Sequence, residues 1–244
     1  MLTAAPQRKP VTATFYSLPV ASCENEKGNR RMIQGFVDGP LWYFSLFVFV
    51  AGVLWRLAAL WRLGGHTEYS EPRGSAAAGG LQTLVRHFFP RSEVVGRTKA
   101  QVFGGYAFHI GLFALLFWGA PHVEFYEERL LGFGWTPLPD WAFIVACEIA
   151  FAGLMIVWLH RALHPVTRAL SDRGDHAASI LVFLVMLTGC LALGRSHESL
   201  RIIHLFLAEM LLIYFPFSML MHTFTFAFSR WRMGAHYGRR GVSI

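Results

Sequence analysis

Long uncharged stretches separated by short polar connections dominate this chain. Five apolar runs stand out: Leu41 to Leu63, Gln101 to Ala120, Trp141 to His160, Ala177 to Gly194, and Ile202 to Phe228. Each is close to the roughly 20 helical residues that cross a hydrocarbon core about 30 Å thick. The pattern predicts an all-α integral membrane protein whose five spanning helices form one bundle. No apolar core of signal-peptide type occupies the first 20 residues, so the first span is expected to direct insertion.

Composition agrees with lipid as the solvent. Apolar residues make up 54% of the chain and charged ones 15%, well to the apolar side of soluble domains. The formal net charge of +7 is then read as a record of which loops face the cytoplasm rather than as a nucleic-acid footprint, and no nucleic-acid binding is expected. Cys23, Cys147 and Cys190 form no C-x-x-C pair. This argues against a disulfide framework, a zinc ribbon and covalently attached c-type haem.

Loop charge sets an expected orientation. Arg73, Arg86, Arg91, Arg97 and Lys99 follow the first run, Arg161, Arg168 and Arg173 the third, and Arg230, Arg232, Arg239 and Arg240 the fifth. The connection from Pro121 to Asp140 instead holds Glu124, Glu127, Glu128 and Asp140 against Arg129. The basic loops are read as cytoplasmic, which puts the N-terminus outside and the C-terminus inside a bacterial-type inner (cytoplasmic) membrane. Arg8, Lys9, Lys27, Arg30 and Arg31 run against that bias. Residues 1–40, with Pro6, Pro10, Pro19 and Pro40, are expected to be an irregular arm, 41–231 the membrane domain, and 232–244 a basic cytoplasmic tail. Within the first loop, the stretch from Leu81 to Phe89 reads either as a short amphipathic helix at the membrane surface or on a partner, or as a solvated connector.

Ionisable side chains inside lipid are expensive unless they have partners. Four histidines lie on the second and fifth runs or at their edges: His109, His122, His204 and His222. Antiparallel passage matches His109 with His222 in depth, and His122 with His204. Taken as one continuous helix, the fifth run separates its two histidines by five full turns, a rise of about 27 Å, with both rings on one face. Pro121, just before His122, predicts a local break that redirects that ring. Gly104, Gly105 and Gly111 would let a flat macrocycle or a neighbouring backbone approach His109. Two bis-histidine b-type haems follow: an inner one held by His109 and His222 and an outer one by His122 and His204, all four serving as ligands of haem iron. Each ligand ring would need an acceptor for its far nitrogen, which the sequence does not identify.

Glu148 and Glu209 fall inside spanning runs and are candidate proton acceptors for quinol, with Glu124 and His197 as further candidates on the external side. His66, His87, His176 and His236 show no ligand spacing. His160 and His164 form an H-x-x-x-H that would suit a non-haem di-iron membrane oxidase, although no further histidine box follows. A transporter or structural anchor is the third reading.

The segments from Phe108 to Phe113 and from Ile203 to His222, the latter with Phe215-Pro-Phe-Ser218 between its histidines, resemble the gamma subunit of respiratory nitrate reductase. They resemble equally the cytochrome b subunit of the membrane complex associated with dissimilatory sulfite reductase. The resemblance spans Leu41 to Trp231 and takes in the basic turn from Leu163 to Arg168. It implies a dihaem quinol-oxidising anchor within a hetero-oligomeric complex, passing electrons to a cytoplasmic iron–sulfur subunit, with His109, His204 and His222 as ligands. Where the nitrate reductase version places its second helix-two ligand, this chain has Gly119, and His122 is the nearest candidate. That departure leans toward the sulfite-reductase-associated branch.

Overall fold

The computed structural model describes residues 20–63, 69–89, 92–193 and 198–242. All regular structure among them is helical. Five segments are long and apolar enough to cross a membrane: Gly28–Leu63, Thr98–Trp118, Asp140–Leu163, Arg173–Leu193 and Glu198–Phe217. A helix meets its own backbone hydrogen-bonding needs, so lipid can surround it on all sides. Large apolar side chains such as Phe47, Trp61 and Leu163 are accordingly exposed on the outer surface.

The first segment corrects the expectation of an irregular arm. Residues 1–19 lie outside the described residues, but from Val20 the chain is helical: α1 (Val20–Phe36) runs through a widened π turn at Val37–Leu41 into α2 (Trp42–Leu63). Pro40 sits inside that turn. Its missing N–H and its ring forbid the regular bond to the preceding turn, and a one-residue widening absorbs the defect.

The second span is α4 (Ser92–Trp118), with non-helical angles at Thr98. It stops at Gly119, which is extended (φ −63°, ψ 130°), and a short helix α5 (Ala120–Phe125) begins with Pro121 in its first turn. The expected break near His122 is therefore present, centred on Gly119. The third span, α6 (Asp140–Leu163), packs along α4 through small residues. A Cβ on Gly111 would meet the Ala146 carbonyl and the Ala150 backbone at 2.7 Å, and one on Gly104 would meet Ile156 at 2.8 Å. Two of the three glycines around His109 are thus consumed by close helix packing, while Gly105 faces open space. Leu115, Ala146, Ala150, Leu154, Val182 and Met186 form the buried core between these spans and the fourth. After α7 (Pro165–Leu170) that fourth span, α8 (Arg173–Leu193), starts with Asp175 paired to Arg161 at 2.9 Å.

The fifth run is not one helix. It divides into α9 (Glu198–Tyr214), two 3-10 turns at Phe215–Phe217 and Met219–Met221, and α10 (His222–Arg239). Pro216 removes a donor, and Ser218 between the turns is extended (φ −115°, ψ 175°). The Ser218 hydroxyl donates to Phe215 O (3.0 Å) and accepts from Leu220 N–H (3.2 Å), covering groups that the break exposes. Pro216 itself is buried against Gly52, where a Cβ would meet its ring at 2.5 Å. Five uninterrupted turns between His204 and His222 are therefore replaced by a break one turn before His222.

The region taken as a tail is the second half of α10, and its partner is within the chain. The helix α3 (Ala76–Arg86), capped by Ser75, lies against α10. Backbone meets backbone at this contact: a Cβ on Gly238 would stand 2.8 Å from Gly79 Cα, and one on Gly80 would stand 2.9 Å from the Trp231 ring. The N–H groups of Arg73 and Gly74 donate to Arg239 O (2.8 and 3.1 Å). The amphipathic segment from the first loop thus starts earlier than its sequence suggested, at Ala76, and docks on the end of the chain.

Candidate functional site

The breaks at Gly119 and Ser218 place the four histidines. At the end of the bundle where α5 follows α4, the rings of His122 and His204 have centroids 6.2 Å apart with planes at 34°. Nearer the α3–α10 end, the rings of His109 and His222 are 5.9 Å apart at 83°. These are the partnerships that depth matching anticipated. His160 and His164 also meet, but as stacked rings 4.8 Å apart at 10°.

Each of the four rings is held the same way. Nδ1–H donates to a backbone carbonyl: His109 to Gly105 O (2.7 Å), His122 to Leu115 O (2.8 Å), His204 to Val185 O (3.0 Å), and His222 to Met219 O (2.8 Å). A carbonyl accepts only, so the proton must sit on Nδ1 and Nε2 is left with its lone pair. Among the described residues no hydrogen bond engages Nε2 of any of the four. This is the orientation that a metal-binding imidazole requires.

The acceptors have local causes. Gly105 and Met219 lie one turn before the rings that they hold. Leu115 O, near the end of α4, accepts from Gly119 N–H (3.0 Å), and the turn at Gly119 brings His122 back seven residues to share it. For His204 the acceptor comes from another span: Val185 on α8, with the Thr188 hydroxyl 3.4 Å from the same nitrogen. Gly189 lets the ring lie against the α8 backbone.

The ring separations suit iron held between two imidazoles. Two metal–nitrogen bonds of about 2 Å, with about 1.1 Å from nitrogen to ring centre on each side, give centroids roughly 6 Å apart. A second fit comes from orphaned polar atoms on the α3–α10 side of the His109–His222 pair. Arg230, eight residues beyond His222 on α10, lies over the rings of Phe88 (5.3 Å) and Phe226 (5.6 Å). Among the described residues its Nη1 is buried without a hydrogen-bond partner, as is Nδ1 of His87, the neighbour of Phe88. A guanidinium nitrogen shielded from solvent without an acceptor favours an anion beside it, and haem carries two carboxylates. The turn holding His87 and Phe88 is fixed across the site by the Tyr106 hydroxyl, which donates to Phe88 O.

The two candidate carboxylates part company. Glu209 is 3% exposed on α9, and its Oε2 has no hydrogen-bond partner among the described residues. Glu148 is exposed on α6, as is Glu124 on α5. His66 and His197 lie outside the described residues. Among the described residues no group of three or more His, Cys, Asp or Glu converges. A non-haem di-iron site needs such a group, whereas a haem iron takes two protein ligands. The sequence reading passes over Val185, Thr188 and Gly189, counts Arg230 only as loop charge, and sets His87 aside for want of ligand spacing. Only Gly189 had a legible signal, a small residue inside a spanning run.

No protein-family model and no solved structure matches the chain. It is 28% identical over 217 residues to a protein of Nitratidesulfovibrio vulgaris (strain Hildenborough) described only as "Protein", an alignment that covers 84% of this chain and 94% of that one.

Proposed function

We propose that this chain is a dihaem b-type membrane subunit that exchanges electrons between the quinone pool and an iron–sulfur partner of a respiratory or sulfur-metabolism complex. The observation that carries the proposal is the shared state of the four histidines: two facing pairs, each ring fixed with Nδ1 as donor and Nε2 free, at the separation that a common iron demands. Packing alone does not ask all four imidazoles to present the same nitrogen. The resemblance to the nitrate reductase gamma subunit and to its sulfite-reductase-associated relative supports the same reading.

In this proposal His122 and His204 hold one haem, and His109 and His222 the other. Haem bound at both levels would supply one-electron relay centres along the bundle. Gly105, open beside His109, would leave room for a flat ring, and the partnerless nitrogens of Arg230 and His87 would offer donors to its carboxylates. Oxidising a quinol also releases protons, which a positioned carboxylate can accept. Glu209, buried with a free oxygen, suits that role better than the exposed Glu148. The basic α3–α10 end is the cytoplasmic side and the partner's docking face, with the N-terminus outside, in a bacterial-type cytoplasmic membrane. Quinol oxidation is the proposed direction of flow.

The test is optical. The detergent-purified chain should give a reduced-minus-oxidised difference spectrum with b-type α-bands and two haems per chain by pyridine haemochrome. A colourless protein, or iron without porphyrin, would overturn the proposal.

A further inference from the structure

We infer that Cys147 and Cys190 are a redox-active dithiol that a membrane quinone oxidises to a disulfide joining α6 to α8. The sequence gives no reason to pair them, since they lie 43 residues apart on different spans. In the structure their Sγ atoms are in contact at 2.8 Å, both residues are half-buried, and both are free thiols. Neither has another polar partner among the described residues. Cys147 packs on the apolar core whose buried members include Ala146, Ala150 and Met186. Filling space there would need only two more alanines. Two thiols whose sulfurs already touch can instead be oxidised together, because a disulfide forms only between cysteines within reach of one S–S bond.

Position supplies the oxidant's route. Cys147 lies two turns into α6 and Cys190 one turn from the end of α8, which places both near the membrane face at the same end as the His122–His204 pair. Ile144, Val145 and Leu191, their neighbours along the two helices, are exposed on the outer surface. A lipid-dissolved quinone therefore reaches this layer from the side. In the reaction two S–H bonds break and one S–S bond forms. The two electrons and two protons pass to the quinone, whose two carbonyl oxygens become the hydroxyls of a quinol. The thiols are the reductant, and no further reactant is needed. The bridge would tie α6 to the residue after Gly189, next to the α8 backbone that holds His204. It stands whether or not the histidines bind haem.

The full-length Cys23→Ser chain, purified in detergent and reduced with dithiothreitol, is exposed without oxygen to a short-chain quinone, then denatured and treated with N-ethylmaleimide. The reduced sample should take up two alkyl groups and the quinone-treated sample none. A non-reduced digest of the latter should contain one peptide pair linking Cys147 to Cys190 within a single chain, and dithiothreitol should restore both alkylation sites. Adding Cys190→Ser should leave Cys147 alkylated before and after quinone. If that variant does not accumulate, the two-thiol measurement decides alone. Two alkylated cysteines after quinone treatment, or links only between separate chains, would overturn the inference. A colourless protein that still forms the bridge would defeat the haem proposal and leave this one intact.

Discussion

A methyl group on Gly189 would stand 2.9 Å from Cε1 of His204 and 3.2 Å from its Nδ1. The ring is wedged between that glycine and the Val185 carbonyl one turn earlier on α8, so the fourth span sets the orientation of an imidazole on the fifth. Gly189→Ala should push the ring off its carbonyl at a cost of about 1–3 kcal/mol, the usual range for overpacking. Absorption from the His122–His204 haem should shift or weaken while that from the other pair is unchanged. Equal loss of both signals would mean that the variant perturbs the whole bundle.

Removing one ligand should remove one cofactor. His222→Ala should lower haem content from two per chain to one and spare the His122–His204 site, and His204→Ala should do the reverse. Haemochrome assay with low-temperature difference spectra distinguishes the two losses. A His222→Ala protein without any haem would contradict the assignment of His109 and His222 to a level of their own.

Ring planes give a separate spectroscopic expectation. The His109 and His222 planes cross at 83°, whereas those of His122 and His204 lie 34° apart. Nearly perpendicular axial imidazoles leave two iron d orbitals close in energy, so the ferric centre of the first pair should show the more anisotropic low-spin resonance. Two overlapping signals of equal anisotropy in the electron paramagnetic resonance spectrum would count against these orientations. The more anisotropic one should vanish in His222→Ala.

Arg230 tests the fit at the edge of the His109–His222 site. If its unpartnered N–H groups face a haem carboxylate, Arg230→Met removes a nearby positive charge and favours the ferric form. The midpoint potential of that haem should fall, and the haem should be lost more readily during purification. Arg230→Lys should recover part of both effects, since it keeps the charge without the planar fork. An unchanged potential in Arg230→Met would remove Arg230 from the site.

Glu209→Gln keeps the shape and removes the proton-accepting group. Quinol oxidation should slow by about 10²–10⁴-fold, the usual contribution of a positioned base, and its pH dependence should flatten, while haem content and spectra stay as in the parent. Glu148→Gln should leave the rate unchanged. A Glu209→Gln protein with full activity would take the residue out of the proton path.

Much of this was legible in the chain because hydrophobic runs and histidine placement are local facts. The five spans follow from run length, and the depth partnerships of His109 with His222 and His122 with His204 follow from alternating passage. Boundaries read less well. Around Val20–Phe36 the flanking Pro19 and Pro40 and the mixed charge hide a helix that continues into α2 through a π turn. The fifth run was taken as unbroken because its apolar character carries on through Pro216 and Ser218.

What the sequence determined by itself is the number of segments long and apolar enough to cross a membrane and the position of each ionisable group along them, since both are distances along the chain. What only the tertiary structure decided is which groups are completed by another segment. Val185 and Gly189 hold His204 from a different span, and Arg230 meets Phe88 across the α3–α10 contact. Cys147 touches Cys190 over a gap of 43 residues. Hydrogen bonds and side-chain contacts act over a few ångströms in space, and no periodicity along one segment encodes which residue of another will arrive there.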